Sequence, residues 1–168
     1  MPNWCGDTLT ITGKKKDLDQ FETALRAGLD PKTGKGDLFG IFYPRPKWVT
    51  HGNPGHKCKG ADWFHWSTGN WGTKWDVEVS IEDIEAGRCK KSLTLNFDTA
   101  WGPPTGFLLK ASELYPSLVF TLEYDEPGMD FWGITVAVAG APISEEEGPS
   151  KVNQQIQLEE SEDGDRDG

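Results

Sequence analysis

The chain has 168 residues, 17 basic against 27 acidic side chains for a formal net charge of −10, three cysteines and eight tryptophans. That length allows one domain with a real core, burying roughly 70% of the surface that the unfolded chain exposes, while Cys5, Cys58 and Cys89 are too few and too far apart for a disulfide framework or a paired-cysteine metal motif and point to a reducing cytosol. No apolar run approaches the roughly 20 residues of a membrane span, and the first residues lack the basic-then-apolar pattern of a signal peptide, so a cytoplasmic, non-membrane protein is expected.

Leu9 and Ile11 alternate with Thr8, Thr10 and Thr12, which predicts a first strand over residues 7–13. Leu18, Phe21, Ala24 and Leu25 recur at helical spacing, so a helix is expected from about Lys15 to a stop at Gly28. The apolar run Leu38 to Tyr43, closed by Pro44-Arg45-Pro46, predicts a short or edge strand. Residues 47–60 are full of breakers and read as a long loop, and Ala61 to Trp66 as a short helix. Val77, Val79 and Ile81, then Leu93, Leu95 and Phe97, alternate as two strands of a hairpin-like pair. Pro103-Pro104-Thr105 opens a second helix with Thr105 as its cap; Phe107, Leu108, Ala111 and Leu114 mark its buried face, and Pro116 ends it. Two further strands follow, one on Leu118, Phe120, Leu122 and Tyr124 and one on Trp132, Ile134, Val136 and Val138.

Charge is unevenly placed. Residues 144–168 hold nine acids against Lys151 and Arg166, which leaves only −3 on the other 143 residues and no basic stripe that would track a phosphate backbone. From Pro142 onward almost no bulky side chain remains, so the chain divides into a domain over 1–142 and a disordered acidic tail over 143–168, with Val152, Ile156 and Leu158 as its docking points. The order of elements predicts an α+β fold of the ferredoxin-like type, an antiparallel-rich sheet with helices packed on one face and an inserted Trp-rich loop and helix.

Met1-Pro2-Asn3-Trp4-Cys5, Tyr43-Pro44-Arg45-Pro46, Asn70-Trp71-Gly72-Thr73-Lys74-Trp75-Asp76, Phe97-Asp98-Thr99-Ala100-Trp101-Gly102-Pro103-Pro104, and Tyr124-Asp125-Glu126-Pro127-Gly128 with Phe131 and Gly133 resemble the YubB-type ferredoxin-like domain over about residues 1–140. Gly6 stands where that pattern commonly has Asn and Gly102 where it has Ser, and the loop at 51–58 and the acidic tail lie outside it. The resemblance implies the fold and a setting on bacterial phages, plasmids and genomic islands. It implies no catalytic residues, and three scattered cysteines exclude an ordinary iron–sulfur cluster.

The Trp-dense segments are the first candidate site. Asn70, Trp71, Lys74, Trp75 and Asp76, with Asp98, Thr99 and Trp101 arriving at a strand end before a helix, describe either a rigid aromatic platform with a polar rim or an unusually polar piece of core. His51, His56, Cys58 and His65 carry zinc-ligand types at a spacing of no common module, with Lys57 and Lys59 repelling a cation. Pro2 as a terminal amine, or Asp76 and Asp98 as a carboxylate pair, are the enzymatic options, and no nucleophile elbow, phosphate loop or Ser/His/Asp arrangement accompanies them. The acidic tail is a solubilising segment or an imitation of nucleic acid. These readings converge on a non-catalytic, cofactor-free accessory or counter-defence protein of a mobile element that engages a host protein. A single-strand nucleic-acid or nucleotide binder is the alternative, disfavoured by charge, and a small enzyme the third.

Overall fold

In the computed structural model of the chain, which describes residues 3–49, 63–86 and 91–164, the first strand, β1 (Trp4–Thr12), leads into α1 (Lys15–Ala27). Cys5, Asp7, Leu9 and Ile11 are buried while the intervening residues face outward. Leu18, Phe21 and Leu25 form the buried stripe of α1, and the Gly28 N–H closes the helix on the carbonyls of Ala24 and Leu25. After α1 come β2 (Lys35–Asp37), α2 (Leu38–Phe42), α3 (Trp63–Asn70), β3 (Glu78–Ser80) and the two-residue β4 (Glu85–Ala86). The chain then runs through β5 (Ser92–Ala100), α4 (Thr105–Leu114), β6 (Val119–Glu126), β7 (Phe131–Val138), β8 (Ala141–Gly148) and α5 (Lys151–Gly164).

The six-stranded sheet has the order β4-β5-β1-β6-β7-β8, and every neighbouring pair is antiparallel. Its β4-β5-β1-β6 part is the split βαβ arrangement of ferredoxin-like folds, with β1 between the strands that flank α4 in sequence. The core lies between this sheet and the helices. Phe21 of α1 stacks on Phe42 of α2 with centroids 4.6 Å apart and meets Phe120 of β6 edge-on at 5.8 Å. Phe39 of α2 packs on Phe107 of α4 at 4.5 Å.

Several expectations are corrected. Leu38 to Tyr43 is a helical turn rather than a strand, because the Asp76 carboxylate accepts the N–H groups of Phe39 and Gly40 and so caps the turn from a distance. β3 pairs with β2 in a separate two-stranded ribbon and not with β5. Pro104, not Thr105, is the cap residue of α4, and Leu114 points to solvent while Ser112 is buried in its place.

Trp132, Ile134, Val136 and Val138 do not face the helices. Gly133, Thr135 and Ala137 do, since α4 lies against β7 and a Cβ on Gly133 would sit 2.3 Å from the Tyr124 hydroxyl.

The expected disordered tail from 143 instead continues the fold through residue 164. β8 joins β7 through backbone bonds that need no apolar side chains, so Glu145, Glu146 and Glu147 can occupy an edge strand, where charge also discourages pairing with another chain. α5 is then fastened at its start. The buried Ser150 hydroxyl donates to Asp125 Oδ1 at 2.6 Å, the Lys151 N–H donates to Asp125 Oδ2 at 2.8 Å, and the Lys151 ammonium lies 3.5 Å from the Trp132 ring centroid. Val152, Ile156 and Leu158 are exposed on this helix. Among the described residues no helix is long and apolar enough to cross a membrane.

Candidate functional site

The two Trp-dense segments are bonded into one ledge. Gly72, at φ +92°, turns the chain after α3 so closely past α4 that a Cβ there would lie 3.0 Å from the Pro103 carbonyl oxygen. The Thr73 hydroxyl donates to the Ala100 carbonyl at 2.9 Å, and the Phe107 N–H, free in the first turn of α4, donates to the Trp71 carbonyl at 3.1 Å.

Half of the residues expected at the site are the framework of this ledge. Trp71 is only 2% exposed; its indole N–H donates to the Tyr43 carbonyl at 2.9 Å, and its ring meets Phe39, Trp66 and the Arg45 guanidinium. Asn70 accepts from the Tyr43 hydroxyl and donates to the Trp66 carbonyl. Asp76 is held by the backbone N–H groups of Phe39, Gly40 and Val77; burial outweighs those bonds and pushes its carboxyl up to about 6. Thr99 is buried. Trp71 and Trp75 do not form one platform: the chain turns at Gly72, and one ring is buried while the other reaches solvent.

The other half reaches solvent. Trp75 is 39% and Trp101 41% exposed, and the Lys74 ammonium lies over both rings, 4.3 Å from one centroid and 4.8 Å from the other. Phe64 of α3 closes this group at 6.2 Å from Trp101, and Trp4 of β1, 53% exposed, extends it at 6.3 Å from Trp75. Neither Trp4 nor Phe64 was singled out by sequence, although Trp4 stands in a motif that carries the family resemblance. Trp101 adopts φ 70°, a left-handed conformation rare for a bulky residue. It is held there from both sides: its N–H donates to the Asn3 carbonyl at 2.9 Å, and the Thr99 hydroxyl reaches the Gly102 carbonyl at 2.8 Å. Such strain, of order 1–3 kcal/mol, collects where a side chain must be presented in one direction.

Next to Trp4 the surface opens into a cleft of about 490 Å³ whose lining includes Asp98, Glu78, Asp83 and Asn96. Asp98 lies on the outer face of β5, opposite Gly6 of β1.

Beneath the ledge lies a buried polar group. Thr99 Oγ1 is 2.6 Å from Asp7 Oδ2 and 2.8 Å from the Gly102 carbonyl oxygen. One hydroxyl has one proton, so if it is donated to the carbonyl, the Asp7 carboxyl must be the donor to Thr99. Burial raises Asp7 to about 8, with the nearby Asp98 charge adding to it, in keeping with a protonated carboxyl at neutral pH. Burial also pushes the Cys5 thiol far up, which leaves it inert as a nucleophile, and raises Tyr124, bonded to Glu147, to about 12.

His51, His56 and Cys58 of the zinc expectation and Pro2 of the enzymatic one lie outside the described residues. His65 is exposed on α3 beside Phe64, and among the described residues no three His, Cys, Asp or Glu side chains are grouped to hold a metal ion.

A family model described as the ferredoxin-like domain in Api92-like protein matches residues 67–164, which takes in both Trp-dense segments of the ledge, β3 to β8 and α5. The matched region includes residues 143–164, which were expected to belong to a disordered tail. The crystal structure of the protein api92 from Yersinia pseudotuberculosis superposes with a TM-score of 0.59 at 13% identity, covering 89% of this chain and 99% of that one, a likeness of fold. No curated protein matches the chain.

Proposed function

The chain belongs to the family defined by the ferredoxin-like domain of Api92-like proteins, and from that premise we propose that it acts by non-covalent capture of a partner protein through the surface formed by Trp4, Lys74, Trp75 and Trp101. The YubB-type resemblance of its motifs supports a setting on a phage or plasmid, in the cytoplasm of a bacterial host, where an accessory or counter-defence protein meets a host protein. The observation that carries the reading is the shared ammonium: Lys74 spans Trp75 and Trp101, two indoles 26 positions apart, and holds them at the surface. Each contact contributes about 0.5–1 kcal/mol at an exposed site, so the rings are ordered before any partner arrives. Tryptophan is also the side chain most enriched among residues that dominate protein interfaces.

Exposed indoles that could stack bases favour a second reading, single-strand nucleic-acid binding. The carboxylates beside Trp4 and the formal charge of −10 oppose it. Pull-down from host lysate with the wild-type chain and with a Trp75→Ala, Trp101→Ala double variant, read at low and high salt, tests both. A partner protein lost from the double variant and retained at high salt supports protein capture; a salt-sensitive nucleic acid in its place supports the alternative.

A further inference from the structure

Trp4 joins the aromatic surface to the cleft, and the two differ in charge. At the Trp75–Trp101 end the Lys74 ammonium lies over both rings. At the Trp4 end the rim carries Glu78, Asp83 and Asp98 around the aromatic walls of Trp4 and Phe97, and among the described residues no lysine or arginine lines the cleft. Glu78 is paired with Lys35 at 2.7 Å and Asp83 accepts the Ser80 N–H, so each has part of its charge occupied. Asp98 has neither: it is exposed, stands across from a glycine that offers no side chain, and among the described residues no hydrogen-bond donor or cation is paired with it.

Resting on the protein-capture reading above, we propose that the partner presents a cationic segment and that an arginine of this segment enters the cleft, stacking on Trp4 and pairing with Asp98. A planar guanidinium meets both requirements at once, since it stacks on an aromatic face and binds a carboxylate with two parallel N–H bonds. An anionic guest would meet these three carboxylates and that of Asp76, which also lines the cleft. A neutral guest would leave Asp98 partly desolvated without a counter-charge, which costs more than it returns. The charge order also sets direction, with the cation of the segment at the Trp4 end and any acidic group at the Lys74 end.

The test uses the full chain and two probes, the acetylated and amidated peptide Gly-Arg-Gly-Arg-Gly and the same peptide with each arginine replaced by neutral citrulline, titrated calorimetrically at low salt. The arginine peptide should bind at least ten-fold tighter than the citrulline one. That difference should disappear in Asp98→Asn, a near-isosteric change whose fold is checked by its melting temperature. Capture of the partner from lysate should be lost in Asp98→Lys. Equal binding of the two peptides, binding of neither, or preferential binding of an oligothymidylate overturns the proposal. Retained capture in Asp98→Lys together with lost capture in the Trp75→Ala, Trp101→Ala variant overturns the cationic segment alone, whereas retained capture in both removes the protein-capture reading as well.

Discussion

Gly106 stands so close to Asn70 that a Cβ on it would lie 2.2 Å from the Asn70 carbonyl oxygen. The contact is backbone against backbone, so no rotamer change can relieve it, and it fixes the start of α4 against the end of α3. Gly106→Ala should therefore destabilise the protein by about 1–3 kcal/mol, the usual range for overpacking, and should weaken the Trp101 surface at the same time. Chemical denaturation measures the first effect and the accessibility of Trp101 to a fluorescence quencher the second. An unchanged denaturation midpoint would mean that the two motifs are not locked together.

The tryptophans divide by role. Trp71→Ala empties a core position and loses the bond to the Tyr43 carbonyl, so a loss of about 3–5 kcal/mol is expected. Trp75→Ala removes a half-exposed ring and should cost less than about 1 kcal/mol. Trp101→Gly is the sharper case. It relieves a left-handed residue, so it should be more stable than Trp101→Ala by about 1 kcal/mol while losing the same binding. A Trp101→Gly protein less stable than Trp101→Ala would show that the ring, not the function, sustains this backbone.

Asp7 makes stability depend on pH in an unusual direction for a carboxylate. Its ordinary value of 3.8 is raised to about 8 by burial in the folded protein, so between those values the native state holds a proton that the unfolded chain has released. Stability from this group is complete below about pH 4 and is lost as pH rises toward about 8, with a slope of order 1 kcal/mol per pH unit. Asp76, raised to about 6, adds to the fall between about pH 4 and 6. Asp7→Asn keeps a donor for Thr99 and should flatten the profile above pH 6. Urea midpoints at pH 5, 7 and 9 for both proteins check this, and parallel profiles would contradict a protonated Asp7.

The fastening of α5 gives a fourth prediction. Asp125→Ala removes the acceptor of both the Ser150 hydroxyl and the Lys151 N–H. Amide exchange in residues 151–164 should rise by ten-fold or more, in line with loss of a cap contributing about 1–2 kcal/mol, with β1 and β5 unaffected. Uniform acceleration across the sheet would place α5 in the cooperative core instead.

Much of this architecture was legible in the sequence where one face is wet and the other dry. β1, α1 and β6 follow their alternation or helical period because burial and local pattern agree. β8 was not legible, since a strand bonded to a neighbour on one edge and exposed to water needs no apolar face, and Glu145-Glu146-Glu147 resembles a solvated tail. α2 was missed because its cap comes from Asp76, 37 positions beyond Phe39. At the candidate site, composition marked the two segments that build the ledge but could not say which indoles surface. That is decided by two backbone angles, at Gly72 and at Trp101, and by the proximity of Trp4, which depends on β1 pairing with β5.

Whether the exposed indoles bind a partner is read from the affinity of the captured partner for the wild-type chain and for the Trp75→Ala, Trp101→Ala double variant at matched fold, verified by melting temperature. A loss of at least 100-fold is expected in the double variant, with the melting transition nearly unmoved. Equal affinities in the two proteins would contradict it and leave the aromatic ledge as framework alone.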